Sequence, residues 1–234
     1  MDIPLTLTLG VRYTHDKKDG FNFLDYQLPL ACGGSCLIAQ GPFDEDWGEW
    51  TGKAGLTYQL NTDAMVYVSA SRGYLSGGNI IGLATVYDPE TLWSYEIGAK
   101  TRFLEDRLQV NLAAYHQDIS DLQVFVQSST QSGINNVNGT TKVDGIELEL
   151  DAIPIDNLRL NLTATWTDAK YGTYLTTDTR FGGPGPGCDP VTKLCDFSGN
   201  ELNQTPPYTV YAGVEYSFHT SIGSITPRLD TFFS

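Results

Sequence analysis

The chain has 234 residues, of which 41% are hydrophobic and 18% charged, and its formal net charge is −14. This acidic balance argues against nucleic acid as a partner, because nucleic acids select basic surfaces. No apolar run approaches the roughly 18 residues of a transmembrane helix, and residues 1–20 lack the basic start and the apolar core of a signal peptide.

Period-two alternation of apolar and polar residues recurs along the chain and predicts nine β-strands. In chain order the predicted strands cover residues 5–13, 49–60, 64–74, 91–103, 108–126, 137–151, 158–168, 208–218 and 224–233. The faces of the third strand are too mixed to assign, and Pro227 disfavours regular pairing in the last strand. Because helical periodicity is nearly absent, the sequence predicts an all-β fold.

The connections between these strands alternate strictly between long and short. The long connections are residues 14–48, 75–90, 127–136 and 169–207, and the short ones are 61–63, 104–107, 152–157 and 219–223. Antiparallel neighbours then place every short turn at one end of the sheet and every long loop at the other. Short periplasmic turns and long extracellular loops are typical of outer-membrane barrels. The alternation therefore predicts an antiparallel up-and-down transmembrane β-barrel segment.

Aromatic residues bracket the apolar faces of three predicted strands. The pairs are Trp50 with Tyr58, Trp93 with Phe103, and Tyr208 with Phe218. These spacings match the roughly 9 to 11 residues that a tilted strand needs to cross a bilayer, and aromatic girdles mark both interfaces of such barrels. The alternative is a soluble β-sandwich binding domain, in which the same rings would pack a core.

Four cysteines form two local pairs within the long loops, Cys32 with Cys36 and Cys188 with Cys195. Neither pair has C-x-x-C spacing in a helical context, and no histidine lies near enough to complete a zinc set. We expect two short disulfides in an oxidising compartment, in preference to free thiols. This expectation places both loops outside the cytoplasm.

Catalytic and metal-binding patterns are absent from the sequence. The three histidines, His15, His116 and His219, have no recognisable nucleophile setting, and neither G-x-S-x-G nor H-E-x-x-H occurs. The acidic run FDEDWGEW at 43–50 lacks the ligand spacing of a calcium loop. We therefore expect no enzyme activity, no metal site and no cofactor. The alternative from another class is an outer-membrane barrel enzyme such as a lipase, with His116 and a serine.

Two stretches, VYVSASRGYLSGGN at 66–79 and YDPETLWSYEIGAKTRFLEDRLQVNLAAYHQDISDLQV at 87–124, resemble the barrel of TonB-dependent outer-membrane receptors. The resemblance continues through VDGIELELDAIPIDNLRLNLTATWTDAKY at 143–171 and PPYTVYAGVEYSF at 206–218. It implies a location in the bacterial outer membrane and a barrel of roughly 22 strands closed by an internal plug. It also implies TonB-driven import of a ferric siderophore, or of haem, cobalamin or a glycan. The implied partners are outer-membrane lipid, the plug domain, the TonB complex and the small-molecule ligand.

The number of strands departs from that family pattern. Nine strands are too few to close such a barrel, and no plug, TonB-contacting segment or terminal aromatic strand is recognisable. We therefore expect residues 1–234 to form an incomplete, internal portion of the barrel, without the plug domain and the C-terminal strands. Alone, this portion should not transport anything, because its two unpaired edges would be unfavourable in lipid and prone to aggregation in water.

Two groups of residues are candidates for functional contacts. Charged residues that the alternation places on the lumen side are Arg12, Glu96, Lys100, Arg102, Glu147, Glu149 and Arg159. We expect most of them to bond the plug or each other, with some lining the substrate path. Aromatic residues of the long loops that could stack on a ligand ring are Phe43, Trp47 and Tyr87.

Overall fold

The computed structural model describes residues 4–26, 36–80, 86–127, 132–177, 188–192 and 194–234. These residues form one large antiparallel sheet of nine strands and four small hairpins. No helix long and apolar enough to cross a membrane occurs in this part of the chain.

The nine strands of the large sheet lie side by side in chain order. They are β1 (Leu5–Tyr26), β2 (Cys36–Asn61), β3 (Ala64–Leu75), β6 (Glu90–Phe103), β7 (Leu108–Ser120), β10 (Thr140–Ala152), β11 (Leu158–Lys170), β14 (Tyr208–Tyr216) and β17 (Arg228–Phe233). The hairpins are β4 (Gly78–Asn79) with β5 (Val86–Tyr87), β8 (Gln123–Gln127) with β9 (Ser132–Asn136), β12 (Leu175–Thr177) with β13 (Leu194–Asp196), and β15 (Phe218–Thr220) with β16 (Gly223–Ile225). The sheet does not close among the described residues, since β1 and β17 each pair on one edge only. The predicted all-β, antiparallel, incomplete barrel is confirmed.

The two ends of the sheet differ as the loop lengths predict. One end, here the turn end, carries the tight turns at 62–63, 104–107 and 153–157 and the β15–β16 hairpin. The turn at 104–107 needs three successive residues in the left-handed region, Leu104, Glu105 and Asp106, with φ of 55°, 56° and 65°. The opposite end, here the loop end, carries the other three hairpins and the long outer halves of β1 and β2.

One face of the sheet, here the apolar face, is both apolar and exposed. Leu9 is 70% exposed and Trp50 is 61% exposed. The register joins such residues into rows across the strands, for example Leu7, Leu56, Val68 and Ile97 on β1, β2, β3 and β6. Val66, Val68 and Ala70 belong to these rows, so the structure assigns the faces of the third strand. A face this apolar suits hydrocarbon, which demands that the backbone be fully paired within the sheet.

Buried side chains are few among the described residues, and most lie near the loop end. They are Ile80, Val137, Thr141, Val143, Ala169, Tyr174 and Cys195. Thr141 lies opposite Ile119 of β7, and its hydroxyl accepts a hydrogen bond from Gly172 N–H at 3.2 Å. The segments that follow β7 and β11 therefore cover the loop end, whereas the body of the sheet has no protein core of its own.

The prediction of a loop at 14–48 is wrong for most of the residues that the structure describes there. The β1–β2 ladder continues to Tyr26 and begins again at Cys36, so the two strands extend far beyond the apolar band. The apolar alternation of the sequence is lost beyond Tyr13, while the backbone pairing persists.

Other strand boundaries also differ from the predictions. The strand predicted at 108–126 stops at Ser120 because Asp121 takes a left-handed φ of 56°. The strand predicted at 137–151 begins at Thr140, and the one at 208–218 ends at Tyr216. The last strand begins only at Arg228, directly after Pro227, which has no backbone N–H to donate.

Candidate ligand-binding surface at the loop end

Two adjacent glycines, Gly77 and Gly78, form the contact point between the β1–β2 hairpin and the β3–β6 connection. A Cβ atom at Gly77 would lie 2.5 Å from the Tyr87 carbonyl oxygen and 2.9 Å from the Trp47 ring. At Gly78 it would collide with the Tyr87 ring. Both glycines are buried. Two of the three aromatic residues predicted to contact a ligand therefore meet here, while Phe43 lies farther along the β1–β2 hairpin, opposite Gly20.

Lys18 fastens the β1–β2 hairpin to this contact point. Its ammonium donates hydrogen bonds to Ser76 Oγ at 2.8 Å and to the Gly77 carbonyl at 2.6 Å. The same nitrogen lies 5.6 Å from the Trp47 ring centroid, within the range of a cation–π interaction. The hairpin is thus held against the start of the β3–β6 connection.

Gln123 joins the β3–β6 connection to the β7–β10 connection. Its backbone N–H donates to Glu90 Oε2 at 2.8 Å. Its side-chain amide donates to the carbonyls of Ser76 and Asp88, both at 3.1 Å. Glu90 and Gln123 both lie in the stretch 87–124 that carries the family resemblance, and the structure gives them a shared role as a brace between loops.

Asn136 completes this brace, and sequence reasoning missed it. Its Oδ1 accepts from Asp88 N–H at 2.7 Å, and its Nδ2 donates to the carbonyls of Asp88 at 3.0 Å and Asp121 at 2.7 Å. The signal in the sequence was the pair of amides Asn135-Asn136 before Val137, and the partners of Asn136 lie up to 48 residues away. Amides are suited to this position because they donate and accept at once.

The connection between β11 and β14 has its own small core. A disulfide joins Cys188 and Cys195 across the β12–β13 region. The Tyr174 ring lies 5.1 Å from Tyr171 and 5.8 Å from Phe197 between centroids. The predicted Cys32–Cys36 bond lies outside the described residues, because Cys32 falls in the undescribed range 27–35.

Asp189 closes a tight turn beside the disulfide. Its carboxylate accepts the backbone N–H groups of Thr192 at 2.7 Å and Val191 at 2.8 Å. These hydrogen bonds favour the ionised form and hold the pKa of Asp189 below its ordinary value. The turn is therefore stabilised in its charged state at neutral pH.

All seven charged residues predicted to face the lumen lie on the face opposite the apolar one, here the polar face. Glu149 accepts from Asn111 at 3.0 Å, and Arg159 pairs with Asp151 at 3.4 Å. Arg102 pairs with Asp63 and Asp106 at the turn end, at 3.3 and 3.1 Å. The structure does not gather these seven residues into one cluster.

His116 lies on the apolar-face rows near the loop end, between two carboxylates. Its Nδ1 is 2.7 Å from Asp144 Oδ1 and its Nε2 is 3.3 Å from Asp118 Oδ2. Both ring nitrogens are thus paired with acids, and neither is paired with a serine. The arrangement does not support a lipase. No group of three or more metal-ligating side chains occurs in the described part of the chain.

The exposed apolar face, the tight turns at one end and the braced loops at the other define an outer-membrane β-barrel wall. The sequence model of the TonB-dependent receptor-like β-barrel family matches residues 1–231. The chain belongs to this family, as its sequence resemblance predicted. Members of the family are outer-membrane proteins of Gram-negative bacteria and are transporters, not enzymes.

Similar proteins are named as receptors for metal chelates or siderophores. The metal-pseudopaline receptor CntO of Pseudomonas aeruginosa is 26% identical over 167 residues, which cover 69% of this chain and 22% of that protein. The probable TonB-dependent siderophore receptor PiuA of Acinetobacter baumannii is 24% identical over 170 residues, covering 67% and 21%. The chain thus spans about a fifth of the length of these relatives. The ferric yersiniabactin uptake receptor FyuA from Yersinia pestis has the same fold, with a TM-score of 0.69 and 18% identity over 98% of this chain and 31% of that one.

Proposed function

We propose that the chain forms part of the barrel wall of a TonB-dependent receptor that imports a ferric siderophore or a similar metal chelate. Family membership over residues 1–231 carries this proposal. Relatives named as metal-chelate and siderophore receptors favour such a ligand over haem, cobalamin or a glycan. The braced loop end supports it as well, because binding residues concentrate on loops that a rigid scaffold positions.

The same proposal extends to the rest of the receptor. Residues 1–234 are an incomplete portion of the barrel, whose β1 and β17 edges pair with further strands of a longer protein. A plug domain fills the lumen against the polar face, and the TonB complex acts through a segment outside this chain. Support comes from the edges of β1 and β17, which have no partner among the described strands, and from the absence of a core on the polar face in the described part of the chain.

The test is uptake of radioactive iron by iron-starved cells that express the full-length receptor. Cells are supplied with ferric chelates from their own culture medium, and strains lacking the receptor or lacking TonB are compared. We expect uptake of at least one chelate to require both proteins. Equal uptake in all three strains, for every chelate fraction, would reject the proposed function.

A further inference from the structure

Side chains do not cover the apolar face evenly. Three small residues lie next to one another on β2 and β3: Gly52, Ala54 and Ala70. Ala54 and Ala70 are directly opposite in the register, and Gly52 is two residues from Ala54 on the same face. Because side chains stand roughly perpendicular to a sheet, a group of small residues leaves a depression between larger neighbours. This depression is here called the furrow.

The strands on both sides of the furrow carry large apolar side chains. Leu9 and Val11 of β1 and Trp93 and Tyr95 of β6 are between 44% and 78% exposed. The register places the first two next to β2 and the last two next to β3, level with the small residues. β1 and β6 are three strand spacings apart, roughly 14 Å. The furrow therefore has room for a hydrocarbon chain between two apolar ridges.

The furrow has a volume of about 670 Å³, and Trp50 also lines it. Small-molecule sites have volumes in this range, with mostly apolar walls and a few polar groups. A Cβ atom at Gly52 would lie 2.6 Å from the Gly10 carbonyl oxygen, so the close approach of β1 keeps position 52 free of a side chain. The depression is thus a consequence of the strand pairing.

Arg72 lies at the loop-end edge of the furrow, opposite Gly52 and Trp93. Its Nη1 lies 2.7 Å from Glu49 Oε2 and also donates a hydrogen bond to the Trp50 carbonyl. Its Nε and Nη2 donate to no other residue that the structure describes, and these nitrogens carry N–H groups of their own. The guanidinium group therefore keeps donors for an anion at the edge of the apolar band.

The position of the furrow indicates what fills it. It lies in the loop-end half of the apolar face, and long loops are extracellular in outer-membrane barrels, so it faces the outer leaflet. Trp50 and Trp93 mark the headgroup level, where aromatic rings concentrate, and Arg72 lies beside them. A chain in the furrow touches the wall along its floor and both sides, which adds dispersion contacts that a smooth face does not offer.

We propose that the furrow binds one phosphorylated lipid of the outer leaflet, of the lipid A class. A hydrocarbon chain lies along Gly52, Ala54 and Ala70, and a phosphate group accepts charge-assisted hydrogen bonds from Arg72. Charge complementarity favours this occupant, because a cation at the headgroup level suits an anionic lipid although the protein carries a net charge of −14. The site faces the membrane and not the lumen, so its failure would leave the import function standing.

The test is native mass spectrometry of the purified full-length receptor, titrated in mild detergent with three probes. These are bisphosphorylated lipid A, its monophosphoryl form and phosphatidylglycerol. The double substitution A54L/A70L fills the furrow, and A99L adds the same side chain to the apolar face outside it. We expect A54L/A70L to bind lipid A about tenfold more weakly, since lost burial of about two methylene groups has this effect. A99L should bind as the wild type does.

A further variant, R72Q, tests the phosphate contact. It should lose the wild-type preference for bisphosphorylated over monophosphoryl lipid A, while A54L/A70L weakens the binding of both forms. Equal affinities in A54L/A70L and the wild type, or equal weakening in A99L, would overturn the furrow as a site. A wild type that binds phosphatidylglycerol as tightly as lipid A would overturn the lipid class. Receptor dimers that disappear in A54L/A70L would make a second copy the occupant and refute the proposal.

Discussion

Gly77 and Gly78 are the residues on which the loop end is assembled, because no side chain fits between them and the Tyr87 backbone and ring. The contact also explains why a strand that alternates through Val66, Val68 and Ala70 ends in glycine. Trp47 packs over Gly77 from the β1–β2 hairpin, so two aromatic residues that the sequence offered as ligand contacts have a structural role.

The substitution Gly77→Ala should therefore destabilise the loop end of the full-length receptor. The new methyl group would lie 2.5 Å from a backbone oxygen, which cannot rotate away, and overpacking of this kind costs about 1–3 kcal/mol. Gly73→Ala is the matched control, because its methyl group would meet only Leu92 at 3.6 Å or more. The measurement is the midpoint of thermal unfolding of both variants, monitored by tryptophan fluorescence. Equal midpoints would contradict the packing argument.

Asn136 offers a second test at the scale of one side chain. Asn136→Ala removes three hydrogen bonds that tie Asp88 and Asp121 together, and we expect local opening to become easier by about 1–3 kcal/mol. Hydrogen exchange at the β8–β9 amides should rise by one to two orders of magnitude, by roughly 1.4 kcal/mol per tenfold. Asn135→Ala, on the neighbouring position of β9, should leave exchange unchanged, and a similar rise in both would refute the brace.

At the scale of elements, the main difference between prediction and structure is the β1–β2 hairpin. Its extension beyond the apolar band stays paired from Tyr13 to Tyr26, with one register shift between Asn22 and Phe23, but the sequence there lacks the apolar alternation that would predict a strand. Lys18 is the residue that docks it, by bonding to the start of the next connection. In this stretch the strands are recognisable from the backbone pairing alone, which sequence periodicity does not report.

The Cys188–Cys195 disulfide belongs to this scale too, because it closes a ring within one loop. With a sequence separation of 7 it constrains little of the unfolded chain, so its contribution should lie at the low end of the ~0 to 5 kcal/mol range. We expect the double substitution of both cysteines by serine to leave the unfolding temperature of the barrel almost unchanged and to weaken chelate capture. A large drop in that temperature would show that the bond holds more than its own loop.

At the scale of the whole molecule, the apolar and polar faces define which side of the sheet faces the lipid. Ala99 lies in the apolar rows between Val66 and Leu112, and Lys100 faces the other side. Ala99→Arg should reduce the yield of folded full-length barrel in lipid vesicles, at a cost of roughly 2–4 kcal/mol near the midplane. Lys100→Arg should fold as the wild type does. If both substitutions are tolerated equally, the membrane does not cover the apolar face.

The sequence by itself determined the all-β class, the sorting of turns and loops, and the orientation of most strands. It could do so because lipid on one face and water on the other impose a two-residue period that each strand carries locally. Only the tertiary structure decided where β1 and β2 end, that Gly77 and Gly78 receive Trp47 and Tyr87, and that Asn136 braces two loops. These features depend on contacts between side chains that are far apart in the sequence, and a local periodicity does not encode such contacts.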